Sequence, residues 1–475
     1  MKEKFYITSP IFYPNAVLHV GHAYTITVCD AIARWQKLSG KEVYFLAGAD
    51  ENAGKVAKAA EAAGNDIEEH LEAITDAFKD LYAKLDISYD QFIRTTDKEV
   101  HWPGAIALWQ KLVEAGDIEK RTYSGLYCPQ CEAFYTEKEL IEGKCPLHGI
   151  ELQKLEEENY FFKLSKYTQI LKEKIESGEF VVLPDTRKNE ILAQLERGLE
   201  DVSFSRPVKS VPHGIPVPGD PSQVMYVWCD ALTSYMSAVG YGRDEEMFEK
   251  WWPADIHVVG KDILRFHAAI WPAMLLSAGL PLPKVVMAHG FVLSGGQKMS
   301  KSVGNTVDPL ELINEFGADA VRYYLLRKIP SFEDGTLTYD LVKDAYNGDL
   351  ANGLGNLVSR VLTMSEKNLS APVMPEANTI PEAFIEAMNR FDLNRAANIV
   401  WERIGELDKK IQDTEPFKLV KVDEEAGKKI ITELALELYT VGRMLNPLMP
   451  DTSKKIKQLV KANKKPEAPL FLRKD

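Results

Sequence analysis

The 475-residue sequence lacks any long apolar run. No stretch of 18 uncharged apolar residues occurs, and the opening MKEKFYITSP has no apolar signal-peptide core. These absences argue against secretion and membrane insertion, so we expect a cytoplasmic protein with no membrane partner. Cysteine is also scarce. Three of the five cysteines cluster, and Cys29 and Cys229 lie alone in apolar surroundings, which argues against a disulfide framework.

The chain also lacks an excess of positive charge. A formal net charge of −13 argues against a nucleic-acid partner, although such binding requires only a local basic patch. A content of 45% hydrophobic and 27% charged residues is typical of a globular protein. The length predicts two to four domains.

Strand and helix patterns alternate at the start of the chain. KFYIT is typical of a short strand, and apolar residues then recur at helical spacing from Val20 to Leu38, with Gly40 as a stop. Val43–Gly48 is typical of a buried strand, and a broken helical pattern follows it. Strand, helix and strand at this spacing predict a βαβ unit and a parallel sheet.

A second set of strand-like patterns lies far downstream, in MYVWCD, DIHVVGKDI and KVVMAHGFVL. The intervening residues, roughly 116–222, contain a Cys/His cluster and proline-rich joints. We therefore predict an insertion that splits one α/β domain into two halves. Beyond about residue 317 nearly every pattern is helical, which predicts a helix bundle.

The Cys/His cluster consists of two pairs, Cys128-Pro-Gln-Cys131 and Cys145-Pro-Leu-His148. Four such ligands close the coordination shell of one tetrahedral zinc ion. The alternative is a set of reduced thiols beside an unrelated histidine. We expect one structural zinc ion inside the insertion.

Two further motifs are ambiguous when each is taken alone. His19 and His22 lie at the start of the first helical pattern. Three interpretations are open: metal ligands, buried structural residues, or hydrogen-bond donors to a phosphate at a helix N-terminus. Gly21 between them allows a ligand to approach the backbone. In GFVLSGGQKMSKSVGN, a Gly-Gly pair precedes Lys298 and Lys301, which fits a mobile loop over a polyphosphate or a solvated basic turn.

Together, HVGH after a first strand and KMSKS after a last one, with an insertion between them, resemble the class I aminoacyl-tRNA synthetases. The segments SPIFYPNAVLHVGHAYT, YVWCDALTSY, VVGKDILRFHAAIWPAML, GDLANGLGNLVSR and PLFLRKD extend this resemblance to the methionyl-tRNA synthetases over essentially the full length. The resemblance implies ATP-dependent activation of methionine to methionyl-adenylate, followed by transfer to the 3′-terminal ribose of tRNA(Met).

The resemblance also implies an α/β Rossmann-type catalytic domain, split by a zinc-bearing insertion and followed by an all-α anticodon-binding bundle. The expected segments are the first catalytic half (residues 1–115), the connective insertion (116–222), the second catalytic half with the KMSKS loop (223–325), a stem-contact element (326–350), and the helical anticodon-binding domain with the C-terminal segment (351–475).

Site residues carry over by position in the resemblance. Those expected to bind ATP, accompanied by Mg²⁺, are His19, Gly21, His22, Gly260, Asp262 and Lys301. The expected catalytic set is His19, His22, Lys298 and Lys301, and Lys301 would stabilise the leaving pyrophosphate.

Asp50 would hold the ammonium group of methionine. The residues expected to line the side-chain pocket are Ile11, Tyr13, Trp228, Ala231, Leu232, Tyr235, Ile263 and His267. Aromatic rings around a thioether sulfur give favourable contacts of about 0.3–1.5 kcal/mol each, and His267 or Tyr13 could add a weak hydrogen bond. Without the resemblance, core packing is the better interpretation of each aromatic residue.

Asn356, Arg360 and Phe417 match positions for the anticodon bases. Four-residue spacing places Asn356 and Arg360 on one helix face, able to pair with base edges or simply to be solvated. Two positions depart from the family: Asn52 stands where histidine is common, and Pro416-Phe417 replaces Pro-Trp. We expect weaker anticodon stacking from the smaller ring.

Other classes fit less well. An insertion of residues 116–222 is too short for the large editing domain of the leucine, isoleucine and valine enzymes, and a cysteinyl enzyme should hold zinc in its active site. A non-catalytic relative should have lost one of the signature residues, and nucleotidylyltransferases lack KMSKS at this distance. The chain ends soon after the bundle, so we expect a monomer.

Overall fold

The computed structural model describes residues 2–131, 133–135, 137–299, 306–373 and 380–475. The chain divides into two compact units that alternate along the sequence. The first unit comprises Met1–Val17, Gly40–Asp80 and Tyr89–His289, and the second comprises Leu18–Ser39, Leu81–Ser88 and Gly290–Asp475.

The strands are short and lie mostly in the first unit. In chain order they are β1 (Lys4–Thr8), β2 (Glu42–Ala49), β3 (Gln91–Arg94), β4 (Ile118–Cys128), β5 (Ala133–Tyr135), β6 (Gln153–Phe162), β7 (Val181–Leu183), β8 (Val202–Ser203), β9 (Ser205–Pro207), β10 (Pro216–Val217), β11 (Asp220–Met225), β12 (Ile256–Gly260), β13 (Val285–His289), β14 (Val292–Ser294), β15 (Gln297–Lys298) and β16 (Gly335–Thr336).

The helices occur throughout both units. In chain order they are α1 (Val20–Leu38), α2 (Gly54–Ala63), α3 (Ile67–Lys84), α4 (Trp102–Glu114), α5 (Thr168–Glu176), α6 (Asp185–Arg197), α7 (Val227–Ser237), α8 (Glu245–Trp251), α9 (Trp271–Ser277), α10 (Pro309–Phe316), α11 (Ala318–Tyr323), α12 (Tyr339–Ala345), α13 (Asn356–Asn368), α14 (Glu382–Asn389), α15 (Leu393–Thr414), α16 (Pro416–Leu419), α17 (Glu424–Met444) and α18 (Pro450–Ala462). Within the described residues, none of them has the length and apolarity that crossing a bilayer requires.

Six strands of the first unit form one parallel sheet in the order β3-β2-β1-β12-β13-β7. Residues 4–8 pair in register with 42–46, and residues 256–260 pair with 285–289. The predicted first two strands and the parallel sheet are thus confirmed. Most side chains of β1 and β2 are buried on both faces, as expected for a parallel sheet covered by helices.

The segment predicted as an insertion contains two antiparallel sheets. β4 pairs with β6 from Ile118 opposite Phe162 to Tyr127 opposite Gln153, in a sheet ordered β5-β4-β6-β8, and the second sheet is ordered β10-β11-β9. β7 pairs instead with β13, so this segment also supplies the edge strand of the parallel sheet. The boundaries at residues 116 and 222 stay a prediction.

The strand predicted at MYVWCD is wrong beyond its first residue. β11 ends at Met225, and Tyr226 is the N-cap of α7. A fully buried helix and a buried strand are both continuously apolar over six residues, so periodicity cannot separate them. Every residue of α7 except Trp228 is buried, which is why the pattern was ambiguous.

In the second unit, α1 begins at Val20 and ends at Leu38, as predicted. Gly40 follows with φ of 93°, a conformation that favours glycine and terminates the helix. The mainly helical prediction beyond residue 317 is confirmed by α11 to α18, with the two-residue β16 as an exception.

A buried arginine joins several segments of the second unit. The Arg322 side chain is fully buried on α11 and donates hydrogen bonds to the carbonyl oxygens of Leu85, Pro447 and Leu448 at 3.0–3.1 Å. Its guanidinium also pairs with Asp30 Oδ2 on α1 at 2.7 Å. A buried charge is stable only when it is paired and hydrogen-bonded. Separating α1 from the helical region would leave Arg322 and Asp30 without these partners, so the contact holds the two together.

Candidate active site

The HVGH motif begins the first helix of the second unit. His19 is the N-cap of α1, with extended backbone at φ −101° and ψ 174°, and its Nδ1 accepts a hydrogen bond from the Gly21 N–H at 3.0 Å. Nδ1 of His22 accepts from the His19 N–H at 3.2 Å. The two ring centroids are 4.0 Å apart. This reciprocal arrangement is a capping box built from two histidines.

These hydrogen bonds determine which ring nitrogen carries the proton. A neutral imidazole has one donor and one acceptor nitrogen, and Nδ1 is the acceptor in both rings. His19 and His22 therefore carry their protons on Nε2. Two such donors beside the N-terminal N–H groups of a helix form an arrangement suited to phosphate oxygens. A Cβ at Gly21 would lie 2.8 Å from His19 Cε1, so a side chain there would displace the ring.

The lysine loop lies in the same unit. β14 and β15 form a hairpin in which Leu293 pairs with Lys298. Gly295 and Gly296 form its turn with φ of 58° and 81°, values that favour glycine. The Lys298 side chain and residues 300–305, which include Lys301, lie outside the described residues.

The backbone connects this loop to the histidine motif. After the loop, the carbonyl oxygen of Val307 accepts a hydrogen bond from the Val20 N–H at 3.2 Å. Val20 is the first residue of α1, so the chain leaving the lysine loop reaches the helix N-terminus that His19 caps. The structure thus places Val307, which follows the lysine motif in the sequence, at the N-terminus of the helix that the histidine motif begins.

An acidic turn follows β2 in the first unit. Asp50 is only 2% exposed, and its N–H donates to the Phe12 carbonyl at 2.9 Å. Thr95 Oγ1 accepts from the N–H groups of Glu51 at 2.8 Å and Asn52 at 3.3 Å. The turn is therefore fixed through its backbone at the carboxyl edge of the parallel sheet, where open α/β sheets bind ligands.

The neighbouring Glu51 is a structural residue. Its fully buried carboxylate accepts hydrogen bonds from Thr75 Oγ1 at 3.0 Å, from Arg94 Nε at 2.8 Å and from Thr96 Oγ1. His213 Nε2 donates to the Glu51 carbonyl at 3.1 Å, and burial lowers the pKa of this histidine. With both carboxylate oxygens engaged, Glu51 supports the turn.

Asn52 belongs to a buried polar network that sequence reasoning missed. Its Nδ2 donates to the Thr95 carbonyl at 3.0 Å and to Asp230 Oδ2 at 2.6 Å. The other Asp230 oxygen contacts His101 Nε2, and His101 Nδ1 lies 2.8 Å from Ser237 Oγ. The one available signal was the acidic residue inside YVWCDALTSY, since nothing local marks His101.

The predicted methionine pocket is aromatic. Trp228 stacks on Phe266, with centroids 3.7 Å apart and planes 9° from parallel, and it meets His267 edge-on at 6.2 Å. Phe266 is a further residue that sequence reasoning missed. The other predicted pocket residues all lie in, or pack against, the core of the first unit; they are Ile11, Tyr13, Ala231, Leu232, Tyr235 and Ile263.

A histidine–tyrosine pair lies within this aromatic group. His267 Nδ1 donates to the Ile263 carbonyl at 2.9 Å, so its Nε2 accepts from the Tyr235 hydroxyl at 2.8 Å. Burial lowers the pKa of His267 to about 4, so the ring is neutral. Both nitrogens are engaged, and this arrangement gives no support to the expected donation from His267 to a sulfur.

Gly260 and Asp262 lie at the end of β12 and on the turn of 3-10 helix that follows. A Cβ at Gly260 would lie 2.6 Å from Asp262 Oδ1, so glycine leaves room for this carboxylate at the strand end. These residues, Asp50 and the aromatic pocket belong to the first unit, whereas the histidine motif and Lys298 belong to the second.

The predicted zinc ligands converge. The ligand atoms of Cys128, Cys131, Cys145 and His148 all lie within 4.8 Å of one another. Cys131 Sγ is 3.4 Å from Cys145 Sγ and 3.1 Å from His148 Nδ1. Bond lengths of about 2.0–2.3 Å place the ligands of a tetrahedral zinc ion at similar separations. Three thiolates and an imidazole fit zinc, and they leave no coordination position for a substrate.

The predicted anticodon residues lie in the second unit. Asn356 is exposed at the start of α13, and Arg360, one turn later, pairs with Asp408 Oδ1 at 2.8 Å. Phe417 is 44% exposed on α16, and this helix begins directly after Glu415, whose backbone is left-handed with φ of 38°. An exposed ring on a short helix is a suitable surface for base stacking.

Comparison with known proteins gives consistent matches. The model of the family described as tRNA synthetases class I (M) matches residues 5–157 and 149–362. The methionine--tRNA ligase of Thermotoga maritima is 43% identical over 482 residues, which cover 98% of this chain and 76% of that protein. The Brucella suis enzyme of the same name is 40% identical, with 96% and 91% covered. Among solved structures, Mycobacterium tuberculosis methionyl-tRNA synthetase in complex with methionyl-adenylate matches with a TM-score of 0.89 and 39% identity, covering 96% of this chain and 94% of that one.

Proposed function

The chain belongs to the methionyl-tRNA synthetase family. We propose which of its residues bind methionine, ATP, zinc and tRNA. As a methionine--tRNA ligase, it activates methionine with ATP to form methionyl-adenylate. It then transfers the methionyl group to the 3′-terminal ribose of tRNA(Met).

The side chain of methionine occupies the aromatic pocket. The observation that carries this assignment is the stack of Trp228 on Phe266 beside the neutral His267–Tyr235 pair. A polarizable sulfur gains from aromatic contacts, whereas a charged side chain would lose its hydration there. The remaining pocket residues are Ile11, Tyr13, Ala231, Leu232 and Ile263.

Asp50 binds the methionine ammonium group. It is a buried acid at the sheet edge, in a turn whose backbone is fixed by Phe12 and Thr95. A buried carboxylate favours a cationic partner.

We assign the binding of ATP to three segments of the chain. His19, Gly21 and His22 bind its phosphates, since the two Nε2–H donors accompany a helix N-terminus. Gly260 and Asp262 contact the nucleoside. Lys298 and Lys301 neutralise the departing pyrophosphate, and Mg²⁺ accompanies ATP.

The metal site holds one structural zinc ion. Cys128, Cys131, Cys145 and His148 supply a closed set of four ligands, which suits a folding role in the insertion rather than catalysis.

Asn356, Arg360 and Phe417 contact the anticodon bases of the tRNA. The protein acts in the cytoplasm as a monomer, with domain boundaries near residues 116, 223, 326 and 351.

Two acids provide a reciprocal test. Asp50→Asn should raise the KM for methionine in ATP–pyrophosphate exchange at least tenfold, because the ammonium loses a charged partner, with little change in the KM for ATP. Asp262→Asn should do the reverse. Equal losses of both substrates in both variants would contradict the assignments.

A further inference from the structure

A buried hydrogen bond joins the two parts of the proposed methionine site in the first unit. Asn52, on the turn that carries Asp50, donates from Nδ2 to Asp230 Oδ2 at 2.6 Å. Asp230 lies on α7, the helix that also carries the pocket residues Trp228 and Tyr235. The ammonium group and the sulfur of methionine belong to one short molecule, so the spacing between the turn and α7 decides whether both can be bound at once.

The Asn52 end of this bridge has a fixed orientation. Its Nδ2 also donates to the Thr95 carbonyl at 3.0 Å, so both groups that face this nitrogen, the Asp230 carboxylate and that carbonyl, are acceptors. Turning the amide over would place its own oxygen against them. The amide makes two hydrogen bonds from one atom, which the histidine common at this position could not do, because each ring nitrogen carries at most one proton.

The Asp230 end is held by α4. The second carboxylate oxygen of Asp230 contacts Nε2 of His101, the N-cap of α4, and His101 Nδ1 lies 2.8 Å from Ser237 Oγ. His101 is fully buried and Asp230 is 1% exposed. A Cβ at Gly104 would lie 2.7 Å from Ser237 Cβ, so α4 and α7 approach closely here. With both oxygens engaged, Asp230 cannot turn away from Asn52.

We propose that Asn52 and Asp230 are positioning residues whose hydrogen bond sets the spacing between the Asp50 turn and α7, and through it the binding of methionine. Misplacement of a binding group by about 1 Å can cost about a hundredfold. The proposal rests on the proposed function, because it takes the Asp50 turn and α7 as the two contact regions of methionine.

The first test is Asn52→Asp, which places a second carboxyl group against Asp230. Two buried carboxyl groups in contact share one proton, because both cannot be ionised at this distance. At about pH 6.5 the shared proton preserves the bridge, so the KM for methionine in ATP–pyrophosphate exchange should be close to that of the wild type. At about pH 8.5 the proton is lost, and the KM should be about tenfold higher.

The second test exchanges the two roles. Asp230→Asn alone turns an amide donor toward Asn52, since His101 Nε2 keeps the amide oxygen, and the KM for methionine should rise about tenfold at every pH. Asn52→Asp/Asp230→Asn again pairs one amide with one carboxylate, so its KM should return to within about threefold of the wild type without pH dependence. The Thr95 carbonyl keeps a donor in this variant, Trp102 Nε1 at 3.1 Å.

Several controls separate positioning from general damage. Titratable groups next to the bridge include His101, Glu51, His213 and Cys229, and all of them are unchanged in every variant. Asn65→Asp adds the same charge at an exposed position of the first unit and should match the wild type. A KM does not depend on how much of the enzyme is folded, so partial misfolding would lower only the measured rate.

Three results would overturn the proposal. They are a methionine KM of Asn52→Asp that follows the wild type at every pH, a double variant no better than either single change, and an equal rise in the KM for ATP. Absence of methionine-dependent exchange in the wild type would instead mark failure of the proposed function.

Discussion

At the scale of single residues, several histidines accept hydrogen bonds at defined ring nitrogens. Hydrogen bonds to backbone N–H groups keep Nδ1 of His19 and His22 as acceptors. Burial lowers the pKa of His267 and of His257, whose Nε2 accepts from Trp271 Nε1 at 3.2 Å. A neutral imidazole in a defined tautomer donates at one ring nitrogen and accepts at the other, whereas a protonated ring has no acceptor nitrogen.

The buried His267 should make stability depend on pH. Its pKa is about 4 in the folded protein and near 6.5 when unfolded, so between these values the unfolded chain binds a proton that the folded one excludes. The free energy of unfolding should therefore fall as pH drops from 6.5 toward 4, by up to about 3 kcal/mol from this residue.

Urea unfolding of the wild type and His267→Gln at pH 7 and pH 4.5 measures this effect. The variant should lose less stability on acidification than the wild type. The carboxylates are the same in both proteins, so their contribution to the pH dependence cancels in the comparison. The same loss in both proteins would show that His267 is not the titrating group.

At the scale of elements, the buried Arg322 links α1 to the chain around residues 447 and 448. Arg322→Met should destabilise the protein by about 3–5 kcal/mol, because Asp30 loses a buried cationic partner while Arg34 remains beside it. Adding Asp30→Asn should restore part of the lost free energy of unfolding, measured by denaturant unfolding. If the double variant is as unstable as the sum of the two single changes, the ion pair is not the source of the effect.

The zinc knuckle should act on folding and not on chemistry. Cys131→Ser should reduce zinc content and lower the melting temperature, since one of four ligands is lost. Cys29→Ala, which changes a buried cysteine outside the cluster, should retain the full zinc content.

Methionine-dependent exchange per folded molecule should survive zinc loss. Loss of exchange in a variant that is still folded would instead identify the ion as catalytic.

At the scale of the whole molecule, the sequence predicts structure best where the informative residues lie close together in the chain. The bounds of α1 follow from apolar spacing and Gly40, and the zinc ligands follow from two close pairs. The helix at MYVWCD was missed because a fully buried segment carries no periodicity. The network from Asn52 through Asp230 to His101 was missed because packing alone brings together residues far apart in the chain.

Every residue role assigned to the catalytic domain depends on the activation of methionine. The most direct measurement is amino-acid-dependent exchange of pyrophosphate into ATP, run across a panel that includes leucine, isoleucine, valine and cysteine. We predict exchange with methionine and far less with every other member. No exchange with methionine, together with clear exchange for another amino acid, would contradict the account.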